Sequence, residues 1–103
     1  MIEFQYFNGC PNSTETLANL KKLVDAGYIE EKEIHVVEVP DAESAEKLNF
    51  QGSPTILYNG YDLYTKAVPQ SYSFSCRFYT IEGKHTGILS KDFIRTQLEQ
   101  LRG

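Results

Sequence analysis

At 103 residues the chain is sized for one domain around a single buried core, and 41% apolar with 23% charged residues is ordinary for a globular protein. A net charge of −4 without any basic stripe argues against nucleic acid and against an anionic membrane surface as partners, and no apolar run approaches a bilayer span. "MIEFQYF" has no basic region, apolar signal core or cleavage site, so a cytoplasmic setting is expected, where two cysteines are more often free, catalytic or metal-binding than a structural disulfide.

Ile2, Phe4 and Tyr6 alternate with polar neighbours and read as a short strand that ends at Phe7 before "NGCP". From about Pro11 to Ala26, Leu17, Leu20, Leu23 and Val24 recur at helical spacing, with Gly27 as the glycine stop. "EIHVVEV" is a second strand, closed by Pro40. "DAESAEKLNF" reads as a short helix capped by Asp41, with Ala42, Ala45 and Leu48 on one face. "GSPTILYNG" contains a brief strand at Ile56 and Leu57 and an Asn-Gly turn signal. Residues 61 to 73 lack a clean period and are rich in tyrosine. "FSCRFYTI" is strand-like, "EGKHTG" a turn, and "SKDFIRTQLEQL" a closing helix capped by Ser90 with Phe93, Ile94, Leu98 and Leu101 inward. The order β-α-β-α-β-β-α implies an α/β fold. The first two strands lie parallel across a right-handed crossover, the later hairpin adds antiparallel partners, and helices cover both faces of a small mixed sheet.

Cys10 stands where a strand hands over to a helix. If it caps that helix, with Pro11 at the first helical position, the unpaired amide N–H groups and the dipole favour its thiolate. Ser13 could donate its hydroxyl to that sulfur. A capping box in "NSTE", with Asn12 as cap and Glu15 reaching back, is the rival arrangement, and a buried inert cysteine is a third. His35 and His85 have no partners at metal spacing, no zinc motif is present, and Glu30, Glu31 and Glu33 read as a solvated loop. Tyr58, Tyr61, Tyr64 and Tyr72 read as a loop packing on its own rings, with an aromatic partner surface as the alternative. If residues 55 to 58 pair antiparallel with the strand after them, Cys76 falls toward the end of the sheet away from Cys10, too far for a disulfide, and a core position is expected. The alternative is a folded-back segment that brings both sulfurs together as a resolving pair or soft-metal clamp.

"FNGCPNS" ending a strand and "GSPT" opening another resemble the thioredoxin fold in its minimal, glutaredoxin-sized form. Together, "FNGCP", "GSPTILYNGYDLY" and "SCRFY" resemble a group of small bacterial thioredoxin-like proteins, some named by analogy with alkylmercury lyases. The resemblance implies a thioredoxin-like βαβαββα domain over residues 1–103 with a four-stranded mixed sheet and an insertion at about 59–73. It implies Cys10 as nucleophile, Ser13 at the second position of a C-x-x-S motif, and Pro54 as a cis-proline that exposes the Ser53 backbone as an edge for an extended substrate. Pro11, Ser53, Pro54 and Thr55 are the implied substrate-binding positions. The "CGFS" tetrapeptide, the preceding basic residue and the Gly-Gly…Asp-Asp clamp of glutaredoxins are absent, "NGYDL" supplying only Asp62, so no glutathione site is expected. The expected function is a monothiol thiol–disulfide oxidoreductase without cofactor or metal. It would act on a protein or small-molecule disulfide and need an external thiol reductant for resolution. A non-catalytic peptide-binding module, and mercury or copper capture by Cys10 and Cys76, are the other readings.

Overall fold

The computed structural model describes residues 1–103. Its elements are β1 (Ile2–Tyr6), α1 (Asn12–Asp25), β2 (Ile34–Glu38), α2 (Ala42–Leu48), β3 (Thr55–Tyr58), β4 (Tyr61–Asp62), β5 (Tyr79–Ile81), β6 (Lys84–Thr86) and α3 (Lys91–Arg102). A four-stranded mixed sheet runs β2-β1-β3-β4. β1 pairs parallel with β2, Ile2 opposite Ile34 and Tyr6 opposite Glu38, and antiparallel with β3, Ile2 opposite Tyr58 and Gln5 opposite Thr55.

The alternation seen in β1 sends Ile2 and Phe4 to one side, where Ile56 of β3, Leu20 and Leu23 of α1, and Ile94 and Leu98 of α3 close the main core. Gly27, at φ +77°, lets the chain leave α1 in the left-handed conformation that a helix stop requires. Ser90 caps α3 by accepting the Phe93 amide N–H at 3.1 Å. Asp41 caps α2 in the same way through Ser44, and that backbone hydrogen bond holds its carboxyl below the usual range. The expected apolar face of α2 is corrected: Ala45 alone is buried, while Ala42 and Leu48 face solvent. Asn49 adopts a left-handed cap at φ 53° and turns Phe50 back, so Phe50 rather than Leu48 completes a second cluster with Val39, Ala45 and Phe7.

The fourth strand also departs from expectation. Asn59 and Gly60 both have positive φ, the turn that returns residues 61–62 directly onto β3. That occupies the edge which residues 74–81 were expected to take. The fourth strand therefore lies inside the stretch read as an insertion, and β5 and β6 form a separate two-stranded hairpin. No helix is long and apolar enough to cross a membrane.

Candidate functional site

Pro11 already has helical dihedrals, φ −66° and ψ −22°, and the Ser13 amide N–H donates back to the Cys10 carbonyl at 3.3 Å. Winding therefore begins directly after Cys10. Asn12 lies inside α1, and no side chain caps this end, so the capping box through Asn12 and Glu15 does not form. Gly87 packs directly on Asn12: a Cβ there would run into the Asn12 side-chain amide. Loop 87–89 thus lies close on the start of α1, and the Leu89 amide N–H donates to the buried Thr16 hydroxyl at 3.3 Å.

Cys10 is only 5% exposed and is bonded to Cys76, with Cα atoms 5.9 Å apart. The expectation that Cys76 is a core residue remote from Cys10 is corrected, and with it the idea that Cys10 has no neighbouring cysteine. The physical reason is the register. With β4 holding the edge of β3, the chain runs outward through residues 65–72 and comes back beside the loop before β3, where Cys76 bridges Ser53 in parallel orientation. The Ser53 amide N–H donates to the Ser75 carbonyl at 2.8 Å, and the Arg77 amide N–H donates to the Ser53 carbonyl at 2.8 Å. The Ser53–Pro54 peptide bond is cis. Both backbone groups of Ser53 are thus spent within the chain, so in this state Ser53 offers no open edge to a substrate.

The side chains beneath form a hydroxyl chain. Ser53 Oγ accepts the Phe7 amide N–H at 3.1 Å and lies 2.7 Å from Ser13 Oγ. Ser53 Oγ keeps a second lone pair beside the Phe7 contact, so either hydroxyl of the Ser13–Ser53 pair can donate to the other. Thr55 is fully buried, donating to the Gly52 carbonyl at 2.6 Å and accepting from Arg77 at 3.0 Å, so its hydroxyl is spent within the chain. Pro54 is buried as well, and Pro11 is exposed.

Arg77 is the residue that the sequence reading missed. Its guanidinium meets Asp62 at 2.7 Å, with side chains 10% and 2% exposed, and lies 4.6 Å from the centre of the Tyr79 ring. Asp62 Oδ2 makes only this charge contact, while Oδ1 accepts the Tyr64 amide N–H at 2.9 Å. The Tyr79 hydroxyl donates to the Pro54 carbonyl, and burial pushes its phenol well above the ordinary range, so it stays a neutral donor. A signal was available: an arginine inside the apolar run "FSCRFYTI" must find a carboxylate if that run is buried.

Gly52 permits the close approach of the returning chain. It sits at φ +105°, and a Cβ there would lie 3.0 Å from the Ser75 carbonyl oxygen and 3.0 Å from Arg77 Cβ. Gly52→Ala should cost about 1–3 kcal/mol, read from urea midpoints with the disulfide intact. A loss under about 0.5 kcal/mol would show that the 75–77 segment is not seated this tightly.

Beside Cys10 opens a cleft of about 180 Å³ whose lining includes Tyr6, Phe7, Ser13, Leu17 and Val36. Val36, 48% exposed, lies on β2, the outer strand of the sheet. The remaining candidates stand apart. His35 and His85 are exposed, and no group of three or more His, Cys, Asp or Glu residues could hold a metal ion. Glu30 and Glu33 close a 3₁₀ turn, pairing with Lys32 at 3.1 Å and Arg102 at 3.6 Å. Of the tyrosines, Tyr64 packs on Tyr79 at 4.9 Å, while Tyr61 and Tyr72 are exposed. No protein-family model, curated protein or solved structure matches this chain.

Proposed function

We propose that the chain is a thioredoxin-like thiol–disulfide oxidoreductase in which Cys10 attacks and Cys76 resolves. The carrying observation is the bond between Cys10, placed directly before the first turn of α1, and Cys76, brought beside it by the strand at Ser53. The order β2-β1-β3-β4 and the cis Ser53–Pro54 bond lend support to the thioredoxin-like assignment.

In the reduced chain the Cys10 thiolate, favoured by the amide N–H groups of the first turn, attacks one sulfur of a substrate disulfide. A mixed disulfide forms and the other substrate sulfur leaves as a thiolate. Cys76, as thiolate, then attacks Cys10 Sγ, regenerating the Cys10–Cys76 bond and releasing the second substrate thiolate. Two electrons have passed to the substrate. Regeneration takes two equivalents of an external thiol. The first attacks at Cys76, the less buried of the two residues, and expels Cys10, whose thiolate is received by the amide N–H groups of the first turn of α1. The second frees Cys76, and the external thiol leaves as its disulfide. When Ser53 donates within the Ser13–Ser53 pair, the Ser13 proton is available to the Cys10 thiolate.

The test is the alkylation rate of reduced Cys10 against pH, in Cys76→Ser to isolate one sulfur. The midpoint should fall below the free-thiol value of about 8.5. Ser13→Ala should raise it by about one unit, the worth of a hydrogen bond to a charged group. An aromatic disulfide should release two thiolates per reduced wild-type chain and one per Cys76→Ser chain. A midpoint at or above about 8.5 would defeat the proposal.

A further inference from the structure

Building on the thiol–disulfide function above, we propose that residues 71–76 are a flap occupying the protein's own peptide-binding seat. Once Cys10–Cys76 is reduced, that seat takes an external extended polypeptide. The ligand's cysteine lies opposite Ser53, and an aromatic residue two positions earlier takes the place of Phe74.

The contacts define the seat in register. Relative to Cys76, the carbonyl one residue earlier accepts the Ser53 amide N–H at 2.8 Å. The ring two residues earlier, Phe74, packs on Phe7 at 4.8 Å. The amide three residues earlier, Ser73, donates to the Phe50 carbonyl at 2.6 Å. Two of these are backbone contacts that any extended chain can make, and the third selects an aromatic side chain.

What holds the flap differs sharply from what holds the residue after it. Tyr72 is 45% and Phe74 37% exposed, and residues 71–75 are all open to solvent. Arg77 is locked by Asp62, Thr55 and the Tyr79 ring. With the sulfur bond open, the hinge therefore falls between Cys76 and Arg77. Departure of the flap strips Ser53 of the acceptor for its amide N–H and leaves Phe7 with Phe50 alone of its two ring neighbours. The freed N–H and the uncovered Phe7 ring are the two features that an incoming extended backbone with an aromatic side chain covers again. Because the flap carries Cys76, its return evicts the ligand and delivers the resolving thiolate in one movement.

The probe is acetyl-Ser-Tyr-Ser-Phe-Ser-Cys-amide, the sequence of residues 71–76, with its cysteine activated as the 2-thiopyridyl disulfide. The Cys10 thiolate attacks the peptide sulfur, the reagent's S–S bond breaks, and the leaving thiolate takes up a proton as 2-thiopyridone. One disulfide replaces another with no net oxidation. The controls are the permuted Phe-Tyr-Ser-Ser-Ser-Cys peptide and N-acetylcysteine amide, both activated identically. In full-length Cys76→Ser, and in Cys76→Ser/Phe74→Ala where the flap is looser, the cognate peptide should react about tenfold faster than the permuted one, the worth of one to two net contacts. The ratio should be larger in the second variant. Equal rates in both variants, with N-acetylcysteine amide reacting readily, would overturn the seat and leave the oxidoreductase proposal intact. Failure of all three probes would remove both. On reduction of the wild-type chain, amide exchange should speed up at Ser53 and stay slow at Arg77; unchanged protection at Ser53 would also overturn the flap.

Discussion

Arg77→Met should cost the fold about 3–5 kcal/mol, because it strands Asp62 as a buried carboxylate with no counter-charge. An exposed ion pair would cost under about 1 kcal/mol, so the size of the loss reads burial directly. For a domain of this length the thermal midpoint should drop by at least about 12 °C. The double variant Arg77→Met/Asp62→Asn should recover much of the loss, since asparagine is neutral and its Oδ1 can still accept the Tyr64 amide N–H. Urea denaturation of the oxidised proteins measures both. A single-variant loss under about 1 kcal/mol would show that water reaches the pair.

Reducing Cys10–Cys76 should lower stability by about 4 kcal/mol. The bond joins residues 66 apart, and closing a ring of that length removes conformational entropy from the unfolded chain, on the order of 15 cal/mol/K. Denaturant midpoints of oxidised and reduced wild-type protein, compared at one pH, measure it. By linkage the native fold favours forming this bond about a thousandfold over the unfolded chain. Poise and stability are therefore one quantity in this protein, and a loss near zero would mean that the two sulfurs are not held together by the rest of the fold.

Local patterns in the chain carried far more than long-range ones. Leu20 and Leu23 on α1, and Ile94 and Leu98 on α3, are buried as their spacing predicts, because a helix face is set within a few turns. The Asn59-Gly60 signal placed a turn correctly, yet its consequence was not followed: a two-residue turn returns residues 61–62 at once to β3. Assigning that edge to residues 74–81 instead sent Cys76 to the wrong end of the sheet. The α2 face was misjudged for a related reason, since the αL cap at Asn49 swings Phe50 into the space that helical period gave to Leu48. Ser13, Ser53 and Cys10 do converge, as the positions chosen for chemistry. The occupant of Ser53's edge was out of reach, because parallel pairing of residues 53 and 76 leaves no trace in either segment's own periodicity.

The sulfur bond also makes a closed covalent ring of residues 10 through 76, with β1, β5, β6 and α3 outside it. A single hydrolytic nick at the exposed Tyr72 adds one water and opens the ring without parting the pieces. The severed ends stay tethered through sulfur, and the sheet keeps its pairing. Only a reductant turns that hidden cut into two molecules; until thiol is added, the nicked chain differs from the intact one by a single water.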